Sequence, residues 1–368
     1  MARPSGRTGG GAALFRSLAK LGRTQQKAAG KVMAGLLSLP AVTAPPVRKV
    51  ARKPAAPRAR APVVAPGKWL ASQEVVAVPG LPPRRMRYWL YLPHVVPEQA
   101  QIDGLPLVLM LHGCHQSATE FAEGTRMNLL AEQQGYAVLY PQQSASVHAQ
   151  RCWRWFDRAT QQGGGDVQPI AAVLARVLER YRIDRRRIYA CGISAGAGMA
   201  HILALNFPDL FAAVGLHSGP VFGAGNGALG ALGVMRHGGG TRAEAAVAEV
   251  LARRPDFPGM PTLVIQGAGD TVVRSVNQDQ LVRQALLLNG LPAETPPRIK
   301  IAPAGRRGGR NGHEVRDYHR GRKLVVRAAH IDVLEHAWSG GDPRLAFNAK
   351  AGPDSSRMML AFFAKQRR

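Results

Sequence analysis

The sequence is short of cysteine, of acid in its first fifth, and of long apolar runs. Three cysteines in 368 residues are too few for a disulfide scaffold, and they lack the paired Cys/His spacing of a zinc site. No uninterrupted apolar run approaches the roughly 20 residues needed to span a bilayer, so an integral membrane protein is excluded. The first carboxylate is Glu74, whereas residues 1–70 carry 14 of the 49 Lys+Arg. The other 298 positions hold 35 basic and 23 acidic side chains, so more than half of the formal net charge of +26 lies in the first fifth of the chain. Neither aromatic interleaving nor a nucleic-acid fold motif accompanies that charge, and no dedicated nucleic-acid site is expected.

What is present divides the chain in two. Residues 1–66 are rich in Ala, Gly and Pro, and Pro45 to Pro66 alternates prolines with single charges. Such a composition buries too little apolar surface to offset chain entropy, which predicts a basic, disordered extension. Phe15, Leu18 and Leu21, with Arg16, Lys20, Arg23 and Lys27, suit one or two turns of a basic amphipathic helix. Attachment to a granule or another anionic surface is one reading of this extension, and a solvated tail without a partner is the other. The short apolar stretch Val32–Leu39 before Ala41-Val42-Thr43-Ala44 is a poor secretory signal.

From about Lys68 onward the pattern is that of a folded domain, 67–368. Strands are predicted at Glu74–Val78, Met86–Leu92, Leu105–Leu111, Tyr136–Tyr140, Arg187–Cys191, Ala212–Leu216, Pro261–Gln266 and Lys323–Val333. Helices are predicted near Thr119–Gln134, Val167–Tyr181, Ala195–Asn206, Ser275–Leu288 and Asp354–Ala364. Leu107-Val-Leu-Met-Leu and Thr262-Leu-Val-Ile are continuous apolar runs, as strands buried on both faces require. Strands followed repeatedly by helices imply right-handed crossovers and a mostly parallel central sheet covered on both sides, a three-layer α/β sandwich. The Gly-rich stretch Gly223–Gly240 reads as a mobile flap or, more simply, a disordered loop.

Gly192-Ile193-Ser194-Ala195-Gly196 sits between a predicted strand and a small-residue helix, the context of a nucleophile elbow. Flanking glycines permit the close approach of strand and helix that such a strained turn imposes. A serine hydroxyl is a weak nucleophile and needs a base, itself oriented by a carboxylate. Asp270 ends Gly267-Ala-Gly-Asp270 after a buried strand, while Asp209, Asp256 and Asp279 read as helix-end, loop or helix-surface carboxylates. His336 follows the last strand, and His313 and His319 lie among Gly and Arg in what reads as a surface loop. The order Ser194, Asp270, His336 is the one this architecture uses. An oxyanion hole is expected from the backbone N–H groups of Ala195 and, in the loop Leu111-His112-Gly113-Cys114-His115-Gln116, of Cys114.

These residues lie in blocks that resemble the polyhydroxybutyrate depolymerase family of esterases, within the α/β-hydrolase fold and near the feruloyl and acetylxylan esterases. The blocks are His112-Gly-Cys114-His-Gln116, Tyr140-Pro-Gln-Gln143, Cys152-Trp-Arg-Trp-Phe156, Gly192-Ile-Ser194-Ala-Gly196, His217-Ser-Gly219, Gly267-Ala-Gly-Asp270-Thr-Val272, His336-Ala-Trp-Ser-Gly-Gly341 and Gly352-Pro-Asp354. Ala197 stands where a second consecutive glycine is usual. The resemblance implies Ser194 as nucleophile, Asp270 as orienting acid and His336 as base of a serine esterase with an acyl-enzyme intermediate, requiring no metal or cofactor. It implies an ester substrate, poly(3-hydroxybutyrate) or its oligomers, with feruloyl or acetylxylan-type hydrolysis as the alternative. A reading of another class is a non-catalytic granule- or anionic-surface-binding protein acting through residues 1–66. Trp153, Trp155 and Trp338, with Phe156, are candidates to line the substrate groove or to pack the core. Cys114 and Cys152 lie in two blocks expected to meet, so a disulfide between them is anticipated, and Cys191 reads as a small buried hydrophobe. The resemblance points to an extracellular enzyme, the weak secretory pattern to a cytoplasmic one.

Overall fold

The computed structural model describes residues 65–77 and 83–368. All of the predicted basic extension except its last two residues therefore lies outside the described residues, as does the end of the first predicted strand.

The described residues form a ten-stranded sheet in the order β1-β2-β4-β3-β5-β6-β7-β10-β9-β8. Its strands are β1 (Lys68–Val76), β2 (Arg84–Leu92), β3 (Leu105–Leu111), β4 (Ala137–Gln142), β5 (Ile183–Ile193), β6 (Ala213–His217), β7 (Thr262–Gly267), β8 (Arg298–Ala302), β9 (His313–Arg320) and β10 (Lys323–Ile331). The run β4-β3-β5-β6-β7-β10 is parallel throughout. Antiparallel strands extend it on both sides, β1 and β2 beyond β4 and β9 and β8 beyond β10. A two-stranded pair, β11 (Trp338–Ser339) and β12 (Asn348–Ala349), lies apart from it.

The helices are α1 (Glu98–Asp103), α2 (Ala118–Thr125), α3 (Met127–Gln134), α4 (Arg158–Gln161), α5 (Val167–Arg180), α6 (Ala195–Asn206), α7 (Gly227–His237), α8 (Arg242–Arg253), α9 (Val276–Leu288) and α10 (Ser355–Phe363). They cover both faces of the sheet. β3 shows why: Leu107, Leu109 and Leu111 join one core cluster with residues of α5, α6, α8 and α9, while Val108 and Met110 join another with residues of α2, α3 and α10. Alternate side chains of a strand point to opposite faces, so a strand apolar at every position has to be buried twice. The three-layer α/β sandwich expected from the alternating pattern is the one observed.

Three expectations are corrected. The helix predicted at Thr119–Gln134 is two helices, broken at Arg126, whose φ is 54°. The carbonyls of Gly124 and Thr125, which a continuous helix would use internally, instead accept from Asp342 N–H at 2.8 Å and Ser356 Oγ–H at 2.7 Å. His313 and His319 stand on β9 and not in a loop. The stretch Gly223–Gly240 is not a plain loop, because α7 occupies most of it despite Gly230 and Gly233; Asn277 Nδ2 holds its C-terminal end through the carbonyls of Val234 and Met235, at 3.0 and 2.9 Å.

Candidate active site

The strands of the parallel run end on one edge of the sheet, and four non-glycine residues just beyond those ends have positive φ. They are His115 after β3 (63°), Ser194 after β5 (56°), Ser218 after β6 (47°) and Val333 after β10 (52°). Such conformations cost of the order of 1–3 kcal/mol each and persist where the surroundings enforce them.

At Ser194 the surroundings are the chain crossing itself. β5 enters, Ser194 turns with φ 56° and ψ −125°, and α6 leaves from Ala195. Ser194 N–H donates to His217 O at 2.9 Å, and Ser194 O accepts from Gly198 N–H at 3.1 Å. A Cβ at Gly196 would collide with the carbonyl oxygens of Leu111 and His112, so only glycine lets α6 pack this closely on the end of β3.

Asp270 and His336 are brought together by a second pair of strand ends. Ala268 N–H donates to Ile331 O at 2.8 Å and Gly269 N–H to Leu334 O at 2.9 Å, tying the loop after β7 to the loop after β10. Across that tie His336 Nδ1 lies 2.8 Å from Asp270 Oδ2. Gln266 Nε2 donates to the same oxygen at 3.2 Å, while Val272 and Val273 N–H donate to Oδ1 at 3.0 and 2.9 Å. Burial by itself pushes the Asp270 carboxyl up, but the bond and charge of His336, the Val273 N–H and the Ser218 hydroxyl together outweigh it and hold the group below its ordinary value. The carboxylate is thus ionised and its acceptor positions are filled. His336 keeps its side chain 12% exposed. No hydrogen bond joins Ser194 Oγ to His336 among the described residues.

His217 connects the two halves. Its carbonyl receives the Ser194 N–H, and its ring stacks on Trp338 with centroids 4.9 Å apart. Its Nδ1 lies 3.2 Å from Ser218 Oγ and its Nε2 3.1 Å from Ser355 Oγ. Complete burial drives its pKa down to about 3, with the nearby His336 charge lowering it further and Asp270 opposing. The ring is therefore neutral.

The loop after β3 is held by a disulfide and by several hydrogen bonds. Cys114 and Cys152 form a disulfide. Gly113 N–H donates to Gln116 Oε1 at 2.8 Å, and Trp153 Nε1–H to His112 O at 3.0 Å. His112 Nε2 accepts the Gln143 N–H at 3.1 Å, which leaves Nδ1–H to donate to Gly113 O at 2.7 Å. Burial lowers the His112 pKa to about 4, keeping that neutral tautomer. The N–H groups of Cys114 and Ala195 have no protein acceptor among the described residues.

The aromatic residues are placed otherwise than a substrate groove requires. Trp153 is 0% and Trp338 1% exposed, and the Trp338 indole N–H is satisfied by Ser356 Oγ at 3.1 Å. Trp155 is 5% exposed and lies against Gly198 of α6. All three pack in the core, each 5% exposed or less; Phe156 alone of the four is half-buried. Cys191 is buried, as expected of a small hydrophobe. His217, Ser218 and Ser355 carry no role in the sequence reading. Their signal is weak there, since a histidine ending an apolar strand looks like any core residue.

A sheet of this order with a strained serine, a carboxylate and a histidine beyond its parallel strand ends defines an α/β-hydrolase. The chain belongs to the esterase PHB depolymerase family, whose model matches residues 86–315. It is 32% identical over 160 residues to feruloyl esterase B of Thermothelomyces thermophilus, covering 43% of this chain and 52% of that protein. It is 28% identical over 223 residues to poly(3-hydroxyalkanoate) depolymerase C of Paucimonas lemoignei, covering 59% and 51%. The chain thus spans about half the length of these curated relatives. Among solved structures, an acetyl xylan esterase from Aspergillus awamori shares the fold with a TM-score of 0.62 at 19% identity, over 80% of this chain and 99% of that one.

Proposed function

We propose that residues 67–368 form a catalytic domain that hydrolyses carboxylic esters by two-step acyl transfer, with Ser194 as nucleophile, His336 as base and Asp270 as its orienting acid. The observation that carries this reading is the 2.8 Å contact of His336 with a buried, otherwise satisfied Asp270 in a chain whose elbow serine stands two strands away in the same sheet. His336 removes the Ser194 proton as the hydroxyl attacks the ester carbonyl, and Asp270 favours the imidazolium that results. The N–H groups of Ala195 and Cys114 receive the oxyanion. His336 then protonates the leaving alkoxide and activates the water that deacylates Ser194. Hydrogen bonds between nucleophile and base are often long in a free enzyme and tighten with substrate.

Poly(3-hydroxybutyrate) or its oligomers are the proposed substrate, on the strength of the family match to residues 86–315. Feruloyl or acetylxylan-type hydrolysis is the second reading, favoured by the 32% identity to a feruloyl esterase. One scaffold supports many esters, so a panel decides. Purified protein is assayed on 3-hydroxybutyrate oligomers, short nitrophenyl esters and methyl ferulate. Preferential cleavage of the oligomers supports the first reading, preference for ferulate replaces the substrate, and no cleavage of any ester defeats the catalytic proposal. Granule co-sedimentation of the full chain tests residues 1–66 as a surface anchor; a chain that stays in the supernatant defeats that role.

A further inference from the structure

The antiparallel extension β8-β9-β10 carries a second concave site, away from Ser194, Asp270 and His336. A cavity of about 440 Å³ lies there, lined by Arg298, Lys300, Arg322, Lys323, Arg327 and Lys365. One acid, Asp317, faces them, and it is fully engaged: Arg327 Nε and Nη2 donate to its two oxygens at 2.6 and 2.7 Å. The other five cations have no ion-pair partner among the described residues. Burial lowers the Lys323 pKa, and the neighbouring Arg368 and Arg320 charges lower it further, so like charges here are uncompensated. Gln366 also lines the cavity and is 0% exposed. Its Nε2 donates to Leu324 O at 2.8 Å, while its Oε1 is buried without any hydrogen-bond partner. A buried acceptor left unpaired costs about 1–3 kcal/mol, which a donor from a ligand would recover.

Cations without counter-charges call for anionic groups, and an orphaned carbonyl oxygen calls for a hydroxyl. We propose that this cavity binds a compact, hydroxyl-bearing polyanion of the sugar-phosphate or sugar-acid kind, its anionic groups paired with Arg298, Lys300, Lys323 and Lys365 and a hydroxyl donating to Gln366 Oε1. The site is separate from the ester chemistry: none of Ser194, Asp270 and His336 lines it.

Isothermal titration calorimetry of the full chain with fructose 1,6-bisphosphate and, separately, with digalacturonate tests it. Both probes are hydroxylated and carry two anionic groups, phosphates in one and carboxylates in the other, so whichever binds identifies the anionic group. The expected result is saturable binding of at least one, weakened at least tenfold in Arg298→Glu/Lys323→Glu. Lys300→Ala/Lys365→Ala supplies the comparison should the charge reversal fail to give a native circular-dichroism spectrum. Absence of binding by both probes at millimolar concentration overturns the proposal. Equal affinity in the folded variant overturns it too, since the anion is then held by cations elsewhere in this basic chain.

Discussion

His336 Nδ1 and Asp270 Oδ2 lie 2.8 Å apart although 66 positions separate the two residues. Two backbone bonds between the loops after β7 and β10 set that distance. The remaining Asp270 acceptors are taken by Gln266, Val272 and Val273. The carboxylate is fixed before any substrate arrives, so the imidazole it holds has one orientation.

Asp270→Asn keeps the shape and removes the charge. The amide no longer stabilises an imidazolium and favours the wrong tautomer, so kcat for a nitrophenyl ester is expected to fall by about 10³–10⁴ with KM little changed. Steady-state kinetics check this. A loss confined to KM would assign Asp270 to binding.

The Cys114–Cys152 bond closes a loop with a sequence separation of 38. Chain-entropy arithmetic for such a loop gives about 4 kcal/mol of stabilisation. Thiol titration of the unfolded, non-reduced protein is expected to find one thiol per chain, that of Cys191, and Cys114→Ser/Cys152→Ser to unfold at lower urea. Three thiols would remove the tie.

Three buried histidines set an acid limit to stability. The pKa of His112 and His201 is lowered to about 4 and that of His217 to about 3, burial being the leading cause in each. In the unfolded chain each sits near 6.5. Between these values the unfolded state binds more protons, so unfolding free energy falls as pH drops below about 6.5, by up to roughly 1.4 kcal/mol per pH unit per histidine. The depressed Asp270 carboxyl adds a loss in the same direction as pH falls through its folded value. Urea unfolding at pH 7, 6 and 5 measures the slope. His201 has no hydrogen-bond partner at either ring nitrogen, so His201→Leu is expected to remove about one proton from it. A flat stability profile would contradict the account.

Gly196→Ala forces a methyl group into the carbonyl oxygens of Leu111 and His112. Separation of α6 from the end of β3 is expected to follow, with loss of both activity and thermal stability. A normal melting temperature would show that the elbow tolerates a wider crossing.

Much of this architecture was legible because it rests on strong local signals. β3 is apolar at every position and β7 through its centre, Leu263 to Ile265, and α6 begins within the elbow motif, directly after Ser194. β8 and β9 escaped notice because an antiparallel extension needs few apolar residues: β9 reads HEVRDYHR, with only Asp317 and Tyr318 buried. The turn that parts α2 from α3 depends on Asp342 and Ser356, over two hundred positions away, and no local pattern encodes it. At the candidate site, Ser194, Asp270 and His336 were marked by strand ends and chain order. The second rank of His217, Ser218 and Ser355 was not, because buried polar residues reveal themselves only through partners. For Trp153, Trp155 and Trp338 the sequence left groove and core both open, because an indole suits either.

The measurement that bears most directly on the central claim is ester hydrolysis by Ser194→Ala beside the parent chain, with circular dichroism to confirm the fold of both. A loss of turnover of about a thousandfold or more, with the fold intact, is the predicted result. Near-normal turnover by the variant would contradict Ser194 as the nucleophile.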